Sequence, residues 1–137
     1  MARIMLIDDD VELANNTADL LRHSGHAVSV LYLTENALGA IADDRPDVVI
    51  LDVMFPGNPV GGFDLAREIR NSDTPARDVP IILLTNINQE LPVSFSASDI
   101  DPEWMPVQAF ITKPVSMAAL DEAVNRLLRA STNHEPT

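Results

Sequence analysis

The chain has 137 residues, a length that suits one domain able to bury its own core, with a formal net charge of -12 and no cysteine. The charge excludes a surface for nucleic-acid phosphates or anionic lipid, which needs clustered Lys and Arg, and the missing cysteines exclude disulfides and thiolate chemistry. No apolar run approaches the roughly 20 residues of a membrane span, and Arg3 leads through a strand-like run into three aspartates rather than a secretory h-region, so a cytoplasmic protein is expected, bound to neither nucleic acid nor membrane.

Arg3–Ile7 reads as a buried strand running into Asp8-Asp9-Asp10. Leu13, Ala14, Thr17, Leu20 and Leu21 then recur at helical spacing. One aspartate is enough to cap that helix, and Gly25 suits the residue after its end. A second and third acid at the same strand end point to the handling of a cation or an anion. Val28, Val30 and Tyr32 alternate, as in a half-exposed edge strand. Thr34 is expected to cap a short helix carrying Ala37, Leu38, Ile41 and Ala42. Arg45-Pro46 closes it, because the residue before proline is pushed out of the helical region. Val48-Val49-Ile50-Leu51 follows without alternation, which reads as a strand buried on both faces of a parallel sheet. It ends at Asp52, either a functional carboxylate or a polar stop to a core strand.

Residues 55–62 are dense in glycine and proline and are expected to form a loop. A helix follows, with Leu65, Ala66 and Ile69 inward and Arg67, Glu68 and Arg70 outward. The run at 79–84 reads as a fourth strand that ends at Thr85. Residues 86–107 carry Pro92, Pro102, Pro106 and several acids but no helical stripe of useful length; Phe95, Ile100, Trp104 and Met105 form either a local cluster or a partner-binding patch. Residues 108–111 make a fifth strand leading into Thr112-Lys113-Pro114. The last helix is marked by Leu120, Ala123, Val124, Leu127 and Leu128, with Ser116 as its cap. Residues 1–129 are expected to be the folded domain and 130–137 a flexible tail. Strands that alternate with helices give a parallel sheet covered on both faces.

Such a sheet gathers the groups at its strand ends. Asp8 and Asp9 follow the first strand and Asp52 the third; Thr85 follows the fourth and Lys113, the only lysine, the fifth. Clustered carboxylates call for a cation, and oxygen ligands from one or two carboxylates plus phosphate oxygens describe magnesium. A carboxylate can attack phosphorus to form an acyl phosphate, with metal and ammonium stabilising the transferring oxygens and a hydroxyl donating to one of them.

With these residues at these strand ends, the chain resembles the receiver domain of two-component response regulators over nearly its whole length. The resemblance implies a flavodoxin-like doubly wound sheet of order 2-1-3-4-5. It implies that Asp52 accepts a phosphoryl group from a phosphohistidine on a histidine kinase or histidine phosphotransfer protein. Asp9 and Asp52 would ligate Mg2+ or Mn2+ together with the backbone carbonyl of Met54, and Asp8 would act through a metal-bound water. Lys113 would pair with the phosphate, and the Lys113-Pro114 peptide would be cis. Thr85 and Phe110 would form a switch that biases a surface around the fourth helix, fifth strand and fifth helix of the family. The implied protein is a single-domain phosphorelay regulator and not an enzyme with turnover. It would act on a downstream protein or as a homodimer.

Three departures stand out. Asn86 replaces the small residue expected after the switch threonine, the proline-rich segment stands where the fourth helix is expected, and Gly57-Asn58-Pro59 lengthens the loop after Asp52. Met54 and Ile87, two residues beyond Asp52 and Thr85, cannot orient an attacking water well, so slow self-dephosphorylation is expected. Two rival readings are a degenerate receiver that docks partners without phosphorylation and a phosphatase of the haloacid dehalogenase type using Asp8. The second lacks the pattern's usual residue at Glu12.

Overall fold

The computed structural model describes residues 2–53, 55, 61–86, 109–113 and 117–134. Five parallel strands, β1 (Arg3–Ile7), β2 (Ala27–Leu31), β3 (Val48–Asp52), β4 (Ile81–Asn86) and β5 (Ala109–Lys113), form one sheet in the order β2-β1-β3-β4-β5. The helices are α1 (Val11–His23), α2 (Ala37–Asp44), α3 (Gly61–Arg70) and α4 (Met117–His134), with a 3-10 turn at Pro75–Asp78 ahead of β4. This is the parallel sheet covered on both faces expected from the strand pattern, in the doubly wound order that the resemblance implies.

Alternation along the strands divides the apolar residues between two cores. Met5, Ile7, Val49, Leu51, Ile81 and Leu83 point to the face covered by α2, α3 and the 3-10 turn, where Ala37, Ile41, Phe63, Ala66, Ile69 and Val79 meet them. Ile4, Leu6, Val48, Ile50, Ile82 and Leu84 point to the other face, against Ala14, Ala18 and Leu21 of α1 and Leu120, Ala123 and Val124 of α4. The two cores explain why β3 reads as an unbroken apolar run: every residue of it is buried.

The helix ends show the local rules at work. Asp10 caps α1, its Oδ1 accepting from the Leu13 amide at 3.1 Å. Gly25 follows the end of α1 at φ 97, a left-handed conformation that glycine adopts without penalty. Arg45, the residue before Pro46, closes α2 at φ 50. Burial pulls the Arg70 guanidinium of α3 below its ordinary pKa, against the opposing charge of Asp78. Its Nη1 donates to the Arg77 carbonyl at 2.8 Å and so ties α3 to the 3-10 turn.

Several boundaries differ from the sequence reading. Thr34 does not cap α2 with its side chain: Asn36 takes the N-cap position in the left-handed region, and Thr34 contributes its carbonyl, accepting from the Ala37 amide at 3.0 Å. α3 starts at Gly61, inside the stretch assigned to a loop, and its second residue, Gly62, packs too closely on the Asp52–Val53 backbone for any Cβ. β4 runs Ile81–Asn86, two residues later than expected, and β5 runs Ala109–Lys113, starting one residue and ending two residues later, since the flat apolar runs carry no register mark. α4 stays helical to His134, past the boundary expected at 129; nothing in 130–134 breaks a helix, and Pro136 is the first residue that does. The proline-rich segment from 87 on, with its apolar cluster, lies outside the described residues, as does Ser116.

Candidate functional site

The strand order fixes where a site can form. The chain leaves β1 for α1 on one face, toward β2, and leaves β3 for α3 on the opposite face, toward β4. β1 and β3 are neighbours, so their connections part between them and open a crevice beyond their carboxyl ends. Asp8 and Asp9 follow β1 on one side of this switch point, and Asp52 ends β3 on the other.

The three carboxylates converge: one oxygen from each lies within 4.8 Å of the others. Asp8 is 1% exposed and Asp52 6%, while Asp9 lies nearer solvent. Acids on a protein surface cluster often without consequence, but buried carboxylates at this spacing repel and need a reason to be held. The backbone fixes them firmly. The Asp8 amide donates to the Leu31 carbonyl at 3.0 Å, Asp8 Oδ1 accepts from the Asp10 amide at 3.0 Å, and the Val53 amide donates to the Leu84 carbonyl at 3.2 Å. Thr85 is the next-to-last residue of β4 and lies in register with Thr112 of β5, and Asn86 lies in register with Lys113. The strand ends at Asp52, Thr85 and Lys113 thus share one edge of the sheet.

A model of the response regulator receiver domain matches residues 4–125. The chain belongs to this family. The receiver is 30% identical over 132 residues to protein PilH of Pseudomonas aeruginosa, covering 93% of this chain and 98% of PilH. It is 32% identical over 129 residues to the transcriptional regulatory protein AfsQ1 of Streptomyces coelicolor, covering 94% of this chain but 52% of AfsQ1, so it spans about half the length of that relative. Among solved structures, NtrX from Brucella abortus matches at a TM-score of 0.77 and 26% identity, over 96% of this chain and 27% of that one.

Receiver domains bind Mg2+ at an acidic pocket, and the donors gathered here suit that ion. Asp8, Asp9 and Asp52 offer hard oxygen ligands, with neither histidine nor sulfur in the set, which is the pattern that favours Mg2+ or Mn2+ over softer metals. The receiver's acid triplet divides its labour: Asp8 and Asp9 join the cluster, while Asp10 turns away to cap α1. The sequence reading assigned a cap to this triplet without choosing which residue supplied it. Met54 and Pro114 lie outside the described residues, as do the side chains of Thr85, Phe110 and Lys113.

One residue of the receiver site went unnoticed in the sequence. Gly62 packs against the backbone of Asp52 and Val53 and donates its amide to the Val53 carbonyl at 2.8 Å. The available signal was a Gly-Gly pair directly ahead of an amphipathic stripe, which is a poor helix start on propensity alone. Among the described residues, no helix is long and apolar enough to cross a membrane.

Proposed function

We propose that this receiver takes a phosphoryl group from a phosphohistidine of a histidine kinase or histidine phosphotransfer protein onto Asp52, and that this switches a partner-binding surface. The observation that carries the reading is the group of three carboxylates within 4.8 Å at the switch point, two of them buried, in a chain of the receiver family. An Asp52 oxygen forms the new bond to phosphorus as the P–N bond breaks, and the donor imidazole nitrogen keeps the electron pair. The product is an acyl phosphate on Asp52, at a place where burial limits access of water to it.

Asp9, Asp52 and the Met54 carbonyl would hold Mg2+ or Mn2+, with Asp8 acting through water; bound there, the ion neutralises charge on the phosphoryl oxygens. The bond from the Asp10 amide orients the Asp8 carboxylate for this duty. Lys113, brought to the same sheet edge by β5, pairs its ammonium with the phosphoryl group. The Thr85 hydroxyl donates to a phosphoryl oxygen, Phe110 follows inward, and the surface near β5 and α4 changes for a downstream protein or a second copy. The Lys113-Pro114 peptide would be cis, as the resemblance to the family implies. The chemistry is confined to phosphorylation and dephosphorylation of the chain itself. Asp10 accepts from the Leu13 amide at the α1 N-terminus, which counts against a phosphatase mechanism in which Asp10 would act alongside Asp8.

Intact-mass measurement after incubation with Mg2+ and acetyl phosphate tests the proposal. One added phosphoryl group in the wild type, dependent on Mg2+ and absent in Asp52→Asn, is the expected result. Steady hydrolysis of a small phosphate ester, abolished by Asp8→Asn, would replace the proposal with the phosphatase reading. Partner binding indifferent to Asp52→Asn would replace it with phosphorylation-independent docking.

A further inference from the structure

Gly62 is the second residue of α3, and the first N–H groups of a helix have no partner inside it. Its amide finds one in the Val53 carbonyl at 2.8 Å, which ties the start of the helix to the chain just leaving β3. The approach is closer than any side chain allows. A Cβ on Gly62 would overlap the Asp52 carbonyl oxygen and would stand 2.9 Å from Val53 Cα and 3.0 Å from the Asp52 carbonyl carbon. All three are backbone atoms, so no change of rotamer relieves the overlap. Gly61 is different, since the nearest atoms to a Cβ there belong to the Phe55 side chain, at 3.2 Å and beyond. From the other side, the Val53 amide is bonded to the Leu84 carbonyl of β4 at 3.2 Å. Residues 52 and 53 are clamped between β4 and the first turn of α3.

We propose that Gly62 is a positioning residue for the Asp52 carboxylate. The first turn of α3 seats on the Asp52–Val53 backbone because residue 62 has no side chain, and this contact sets where Asp52 stands relative to Asp8 and Asp9. The inference rests on Asp52 being the phosphoacceptor. Carbon atoms pack at about 3.5–4.0 Å, so a methyl group at 62 must part the helix from the strand end by about an ångström. Asp8 and Asp9 follow a different strand and would not move with it. Reacting groups must be held to within about 0.5 Å, and a misplacement of about 1 Å lowers rates by about 10²-fold.

The test compares Gly62→Ala with Gly61→Ala and with Ile69→Val, a substitution at a buried α3 position remote from the acids. Two quantities are measured on the full chain at a temperature where circular dichroism shows each variant folded: Mn2+ affinity by calorimetry, and the rate of phosphoryl gain from acetyl phosphate with Mg2+. Gly62→Ala is expected to phosphorylate about 10²-fold more slowly and to bind Mn2+ about 10-fold more weakly, while the other two stay near wild type. Gly62→Ala behaving like wild type overturns the inference. So does Ile69→Val losing as much activity for an equal fall in melting temperature, since the effect would then be general destabilisation. Should Gly62→Ala not fold, amide exchange in the wild type decides: protection of the Gly62 N–H comparable to the β3 amides supports the clamp, and exchange at the rate of a frayed helix start overturns it. A wild type that neither gains a phosphoryl group nor binds Mn2+ overturns the Asp52 reading itself; a working wild type matched by Gly62→Ala overturns the Gly62 inference alone.

Discussion

Replacing Asp52 by asparagine should stabilise the metal-free protein while removing the response to magnesium. Asp8, Asp9 and Asp52 present oxygens within 4.8 Å of one another, so the substitution removes two of three like-charge pairs. At an effective dielectric of about 20, unit charges 4.8 Å apart repel by about 3.5 kcal/mol per pair before screening. Solvent at Asp9 and salt with a Debye length of about 8 Å lower that figure. An amide oxygen also accepts hydrogen bonds less strongly than a carboxylate does. A net gain of about 2 kcal/mol remains, which for a domain of this size raises the melting temperature by about 6–8 °C. Magnesium narrows or reverses the ranking, because a ligand at a hundredfold excess over its Kd stabilises the protein that binds it by about 2.7 kcal/mol. Far-UV circular dichroism melts of both proteins, in chelator and in millimolar MgCl2, measure both effects. A lower melting temperature for Asp52→Asn in chelator, or an equal rise for both proteins with magnesium, would refute the reasoning.

Asp10→Ala removes the cap on the Leu13 amide and should lower stability by about 1 kcal/mol in urea denaturation; Mn2+ affinity should hold, and its collapse would mean that Asp10 belongs to the metal site. Ile50→Val, at a fully buried position of β3, should cost about 1 kcal/mol with an unchanged denaturant slope. Polar replacements at Met54 and Ile87 together should speed loss of the phosphoryl group, followed by intact mass over time. An unchanged decay would show that these positions do not limit the attacking water.

The sheet was legible because burial on two faces leaves a plain mark: five residues of β3 without a break in burial, between helices with one apolar stripe each. The acids were legible because each lies directly after such a run, so the period of the strand carried Asp8 and Asp52 to the same edge. The sequence was a poorer guide wherever a backbone contact overrode a side-chain preference. Thr34 has the right hydroxyl for a cap, yet the chain turns at Asn36 in the left-handed region and uses the Thr34 carbonyl instead. Gly61 and Gly62 look like loop residues by propensity, and the helix includes them because the strand end comes too close for a Cβ at 62. The end of α4 lies at His134, beyond the boundary read from the polar composition, because no residue before Pro136 forbids the helix.

The sheet is also a partition. The odd-numbered apolar residues of β1 and β3 belong to one cluster and the even-numbered apolar residues to the other, and no side chain of either strand appears in both. Substitutions on opposite faces, such as at Ile41 and Leu21, touch no common neighbour, and separated sites of this kind combine additively within about 0.3–0.5 kcal/mol. Either helical layer can therefore drift in sequence, or be reshaped to suit a new partner, without renegotiating the packing of the other. What both layers must keep in common is the backbone of the strands, and above all the end of β3 that carries Asp52.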